Sequence, residues 1–162
     1  MKRKIIVVFL LLFSLFGCKR ENDIKVNPFT ITYFYNQTCP HCKQLKEEFI
    51  KKVEDKYEDS VTIIAYDIDE KESLDLYDQY IGLYDEKTNS WIKDGLLEGV
   101  DKQIACYERI VPLVVVDHYY AFLGYSNDYL EACMQDINLA LQGRKLSTGD
   151  VSNERWLFKK NN

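Results

Sequence analysis

The sequence has no second C-x-x-C pair, only two histidines, no excess of basic side chains and no apolar run of about 20 residues. Each shortage closes off a class of protein. Tetrahedral zinc needs two more ligands at a suitable spacing beside Cys39 and Cys42, and His41 and His118 form no cluster, so no metal is expected. Phosphate binding needs a basic surface, whereas 21 Lys and Arg stand against 26 Asp and Glu for a net charge of −5, which excludes nucleic acid as a partner. The glycine that a calcium loop needs is missing after Asp67 and Asp69. No internal repeat or low-complexity tract interrupts the chain. With 162 residues, 46% of them hydrophobic, the chain can build one domain with a proper core, and it is too short for two.

What is present begins at the N-terminus. Lys2, Arg3 and Lys4 precede a short uncharged, mostly apolar stretch that ends at Gly17-Cys18, the build of a secretory signal over residues 1–17. Leu15-Phe16-Gly17-Cys18 resembles a bacterial lipobox, with Phe16 larger than the usual residue. That resemblance implies cleavage before Cys18, lipidation of its sulfur, and a protein anchored to a membrane on its extracytoplasmic side, where disulfides persist. The rival readings are an ordinary secretory signal with Cys18 incidental, or a short anchor that is never cut. Loss of the signal leaves 18 basic against 26 acidic side chains. Residues 18–27, polar and aperiodic, read as a tether.

A domain is expected over 28–145. Residues 29–35, FTITYFY, are rich in β-branched and aromatic types and read as a buried strand. From Cys42, the steps of three and four through Leu45, Phe49, Ile50, Val53 and Tyr57 predict an amphipathic helix, with Glu47–Lys51 and Glu48–Lys52 pairs on its wet face. A second strand is expected over 61–69. The acidic run from Asp67 to Asp78 reads as a loop and a helix, its carboxylates serving as caps and solvation. The segment around 82–105 reads as an excursion, with Trp91 assigned to the core. Two apolar runs over 111–125, separated by Asp117-His118, predict an antiparallel hairpin at the sheet edge. Tyr129, Leu130, Cys133, Met134, Ile137, Ala140 and Leu141 trace a last helix, opened by Ser126 or Asn127 and closed by Gly143. The tail 146–162 contains ERWLFKK, expected to dock on the core. The fold class is α/β, with a mixed central sheet carrying helices on both faces.

Cys39-Pro40-His41-Cys42 falls where the first strand gives way to the first helix, a place where α/β proteins concentrate binding chemistry. Pro40 suits the first helical turn because its missing N–H costs nothing there. A Cys39 sulfur at the cap would lie over unsatisfied N–H groups and the positive end of the helix dipole, which favour thiolate. Thiols in such places have pKa values of about 3.5 to 7.5, against about 8.5 for a free cysteine. Cys39 is therefore expected to be the exposed attacking sulfur, Cys42 the shielded resolving one, and His41 an electrostatic stabiliser of the thiolate. A purely structural clip across so small a loop would remove little chain entropy. Cys106 and Cys133 are read as a buried small hydrophobe at Cys133, a structural disulfide between the two, or a minor redox role.

On these residues the chain resembles the thioredoxin superfamily, and Cys39-Pro40-His41-Cys42 is similar to the active-site tetrapeptide of DsbA-type disulfide oxidases of bacterial envelopes. Val111-Pro112, just before LVVVD, matches the superfamily's cis-proline loop. The resemblance implies a single-domain thioredoxin-like fold, a cis Pro112, and a Val111 backbone that pairs with an extended substrate segment. Many relatives carry an acidic residue six positions before the first cysteine, where this chain has Tyr33. The large helical insertion of the DsbA enzymes is missing or much reduced.

The expected chemistry is thiol–disulfide exchange through a mixed disulfide at Cys39, with no cofactor. Its partners would be exported protein thiols or disulfides and a membrane redox protein, and the protein would act as a monomer. A thiolate stabilised in this way points to an oxidase. The alternatives are an extracytoplasmic reductase of the cytochrome-maturation type and a non-catalytic binding or assembly lipoprotein.

Overall fold

The structure, a computed structural model, describes residues 29–106, 109–116, 118–144 and 155–160. The expected signal, the expected lipidation site at Cys18, the expected tether and the first part of the tail lie outside the described residues. No helix among the described residues is long and apolar enough to cross a membrane.

The first strand, β1 (Phe29–Tyr35), is followed by α1 (Pro40–Leu45), a π-helical segment (Lys46–Ile50) and α2 (Lys51–Tyr57). Then come β2 (Val61–Asp67), α3 (Lys71–Ile81), the hairpin β3 (Gly82–Asp85) and β4 (Ser90–Asp94), and the short α4 (Lys102–Ala105). The chain continues with β5 (Leu113–Val116), β6 (Tyr120–Leu123), α5 (Asn127–Leu141) and β7 (Arg155–Leu157). Five strands form one sheet in the order β2-β1-β5-β6-β7, with β3 and β4 forming a separate ribbon. β1 is parallel to β2 and antiparallel to β5, and β5, β6 and β7 are successively antiparallel.

The alternation of side chains along the central strands sorts the core into two layers. Ile31, Tyr33, Val114, Val116, Tyr120 and Phe122 point to the face covered by α1, α2 and α5, where Leu45, Phe49, Val53, Cys133 and Ile137 meet them. Phe34, Leu113, Val115 and Ala121 point to the other face, against Tyr77 and Ile81 of α3, Tyr84 of β3, Leu97 and Ala105. The result is an α/β domain with a thioredoxin-like fold and helices on both faces. Its helix boundaries also follow local chemistry. Cys39 caps α1 with Pro40 in the first turn, Ser126 is the extended N-cap of α5, and Gly143 supplies a left-handed φ of 65° just past its end.

Several expectations change. β2 ends at Asp67, two residues early, because the Asp67 and Asp69 carboxylates turn to accept hydrogen bonds from the β1–α1 turn. They therefore serve that turn, and the N-cap of α3 is Glu70, which makes no side-chain cap. Glu47 pairs with Lys51 as expected, but Glu48 takes its hydrogen bonds from Tyr125 and Gln44, and Lys52 acts on it as a nearby charge. The excursion is the β3–β4 ribbon plus α4. Trp91 is 38% exposed and leaves the core, its ring standing edge-on to Tyr84 with centroids 5.4 Å apart. Gly95 is needed where the ribbon returns against α3, since a Cβ there would lie 2.5 Å from the Tyr80 carbonyl oxygen.

The β5–β6 hairpin is interior to the sheet, because β7 from the tail adds to β6 and forms the edge. The tail docks through backbone and charge together. Leu157 accepts from the Glu98 N–H at 2.8 Å and the Lys159 N–H donates to Leu96 at 2.8 Å. Arg155 Nη1 donates to Asp136 Oδ2 at 2.9 Å, and its guanidinium lies 4.2 Å from the centroid of the Tyr120 ring. The Tyr120 hydroxyl donates to the same carboxylate oxygen at 2.9 Å. Arg155 and Asp136 side chains are 4% and 3% exposed, so neither charge has water to fall back on.

Removing one partner of such a pair leaves a buried uncompensated charge. Asp136→Ala should lower unfolding stability by about 3 to 5 kcal/mol in urea titrations, while the double change Asp136→Leu with Arg155→Met should recover most of the loss. A stable single variant would show that the pair does not hold the tail.

Candidate active site

The antiparallel register of β1 and β5 pairs Phe34 with Leu113. The residues that follow β1 and those that precede β5 therefore emerge at the same end of the sheet. There the chain makes a tight turn in which the Cys39 N–H donates to the Asn36 carbonyl at 3.1 Å. Asn36 Oδ1 accepts from the Thr38 N–H at 2.8 Å and from its hydroxyl at 2.5 Å. The far side of the Asn36 amide donates to both Asp69 oxygens at 2.8 Å, and the Gln37 amide donates to Asp67 Oδ2 at 2.9 Å. The Asp69 N–H closes the network on Asp67 Oδ1 at 3.1 Å. Two carboxylates from the end of β2 thus hold the turn that delivers Cys39.

Cys39 has extended backbone (φ −73°, ψ 116°) and its sulfur accepts from the Cys42 N–H at 3.1 Å. It occupies the position where α1 has an unsatisfied donor, and the dipole of the following helix favours negative charge there. Cys39 and Cys42 are joined by a disulfide, their Cα atoms 5.2 Å apart. Cys42 is buried at 3% exposure, Cys39 is half-buried, and Pro40 and His41 are exposed. Cys39 is thus the more exposed of the two residues, an asymmetry that suits attack at the first sulfur in an exchange reaction.

Val111-Pro112 packs against this pair. The peptide bond between them is cis, and the Val111 carbonyl oxygen lies 3.7 Å from Cys39 Sγ. Cys39, Pro40, His41, Cys42, Val111 and Pro112 therefore stand at one end of the sheet; Cys18 lies outside the described residues. The Asn36, Gln37, Asp67 and Asp69 network was not predicted, although two acids at the carboxyl end of the neighbouring strand were a readable signal. Tyr77, Asp78 and Arg109, which lie behind the proline loop, were not predicted either, and no local signal marks them.

Tyr33, at the place of the relatives' acidic residue, is 5% exposed. Burial, reinforced by Tyr35 and Glu54, raises its pKa, so its hydroxyl stays protonated and is no carboxylate substitute. Glu47 is engaged with Lys51 and Glu48 with Tyr125 and Gln44.

Cys106 and Cys133 are thiols in different layers. Cys133 is fully buried among the residues of the α5 face, and burial pushes its pKa up to about 12. Cys106 packs at the edge of the opposite layer, its Sγ donating to the Lys102 carbonyl at 2.9 Å. The sheet separates them, so they form no disulfide with each other, and Cys133 behaves as a small hydrophobe.

The family model described as Thioredoxin matches residues 19–79, covering β1, the Cys39–Cys42 turn, β2 and most of α3. No curated protein and no solved structure matches the chain. The matched segment, the cysteine pair at the start of α1 and the order of the sheet make the chain similar to the thioredoxin superfamily.

Proposed function

We propose that the protein is a thiol–disulfide oxidoreductase that oxidises exported proteins while anchored by lipid on Cys18 to the extracytoplasmic side of a bacterial membrane. The observation that carries the reading is the Cys39 sulfur at the start of α1, accepting the Cys42 N–H and reachable from outside. In the oxidising direction a client thiolate attacks Cys39 Sγ, the Cys39–Cys42 bond breaks, and the Cys42 sulfur leaves with the electron pair and takes up a proton. The client's second thiolate then attacks its own sulfur in the mixed disulfide. Cys39 departs as a thiolate, and the client disulfide is complete. Two electrons have passed to the pair, and a membrane redox partner would remove them.

The direction follows from the leaving sulfur. A thiolate stabilised by the helix start and by an adjacent imidazole makes the reduced pair favourable and its disulfide a strong oxidant. His41 is exposed and lies between the two cysteines in sequence, and it is assigned to stabilising the thiolate. Val111 and Pro112 are assigned to the client, whose extended segment would lie along the Val111 backbone beside Cys39.

The reduction potential of the pair in glutathione buffers tests the direction. A value near about −120 mV, as for DsbA-type oxidases, is expected; one near about −270 mV, as for thioredoxin, would make the protein a reductase, a difference of about 7 kcal/mol. Anchoring has its own test: fatty-acid labelling should be present in the full chain and absent in Cys18→Ser. Labelling that persists in the variant would remove the anchor from the account.

A further inference from the structure

Behind the cis-proline loop, two consecutive residues of α3 grip two consecutive residues of the loop. The Tyr77 hydroxyl donates to the Ile110 carbonyl at 2.9 Å. Asp78 accepts two parallel hydrogen bonds from Arg109, from Nε at 3.0 Å and from Nη2 at 2.8 Å. The tyrosine is 1% exposed and the aspartate 7%. Burial, then the neighbouring Asp78 charge, keeps the Tyr77 hydroxyl protonated and able to donate. A forked Arg–carboxylate pair fixes orientation as well as distance. Arg109 itself has φ 26°, in the left-handed region, so the chain turns sharply where the fork holds it.

The consequence falls on the next two residues. With the Ile110 carbonyl turned inward to Tyr77, the Ile110 side chain is left 42% exposed. Val111 then follows with its carbonyl 3.7 Å from Cys39 Sγ. Nothing in the exchange chemistry requires an exposed apolar side chain one residue before Val111, and a client segment lying along Val111 would cover it.

We infer that Tyr77, Asp78 and Arg109 are positioning residues that set the Ile110-Val111-Pro112 segment for a client polypeptide, and that Ile110 contacts an apolar residue beside the client's cysteine. The inference rests on the redox reading above and adds to it a substrate class, extended segments with an apolar neighbour to cysteine. A small thiol needs only access to Cys39, so it does not depend on the loop. A polypeptide needs the loop in register.

The test uses the full-length oxidised protein and two reductants, dithiothreitol and a reduced unstructured peptide whose cysteine is flanked by leucine. Tyr77→Phe keeps the buried ring and removes only the donor; Arg109→Ala removes the fork, and Arg109→Lys restores its charge. Tyr77→Phe and Arg109→Ala should raise the KM for the peptide by about tenfold, the size expected for losing a hydrogen bond to a buried acceptor or charge. The dithiothreitol rate and the equilibrium constant with glutathione should not move, and Arg109→Lys should recover part of the loss. Ile110→Ser should raise the KM for the leucine-flanked peptide and not for a serine-flanked one. Equal slowing with both reductants, or folded variants with unchanged peptide kinetics, would overturn the inference alone. Wild-type protein inert to both reductants would overturn the redox reading as well.

Discussion

β1 and β5 run antiparallel, with Phe34 opposite Leu113, and most of what this protein can do depends on that register. It brings the turn after β1 and the turn before β5 to one end of the sheet, although Cys39 and Val111 are 72 residues apart in sequence. A slip of one residue would reverse every side chain of β5 and empty both layers of the core at once. The register is therefore held by burial on two faces: Val114 and Val116 against α1, α2 and α5, and Leu113 and Val115 against α3 and the β3 ribbon. The reactive sulfur and the loop beside it inherit their precision from packing that touches neither.

Around that frame, polar contacts act locally and from one side each. Asp67 and Asp69, at the end of β2, hold the amides of the turn before Cys39, and α3 holds the loop before Val111. Both sets originate on the helix and strand that follow the redox pair, so β2 and α3 behave as the back wall of the site. On the opposite face, Tyr120, Asp136 and Arg155 are spent on docking the tail, which closes the sheet edge that β6 would otherwise present. Of the ion pairs among the described residues, Asp136–Arg155 docks the tail and Asp78–Arg109 holds the loop before Val111.

The strands and the amphipathic helices were legible because each carries its own period: FTITYFY in β1, LVVV in β5, the stripe through Leu130, Cys133 and Ile137 in α5. The Cys39–Cys42 tetrapeptide and Val111-Pro112 stood out in the sequence by type and context. Other features did not. The adjacency of Phe49 and Ile50, both buried, is the trace of the π-helical segment, where the Lys51 N–H bonds to Lys46 and widens the turn by one residue. Read as a plain helical stripe, it gives no sign of this. Trp91 looks like core by type, yet it sits on a ribbon whose second strand is exposed along its whole length. β7 is three residues long, too short for any period to show. The Asp78–Arg109 fork joins residues 31 apart and exists only because the fold brings them together; acidic runs are ordinarily solvated, and nothing local marks Asp78 as the buried member.

The account turns on Cys39 being held as a thiolate by its place at the helix start, and the most direct measurement is its titration in the reduced protein. Thiolate absorbance in the far ultraviolet would be followed against pH and compared with Cys39→Ala, so that Cys106 is subtracted and Cys133, buried and pushed up to about 12, stays silent. The account predicts a Cys39 pKa within the range of about 3.5 to 7.5 typical of reactive helix-start cysteines; a value at or above about 8.5, that of a free thiol, would contradict it.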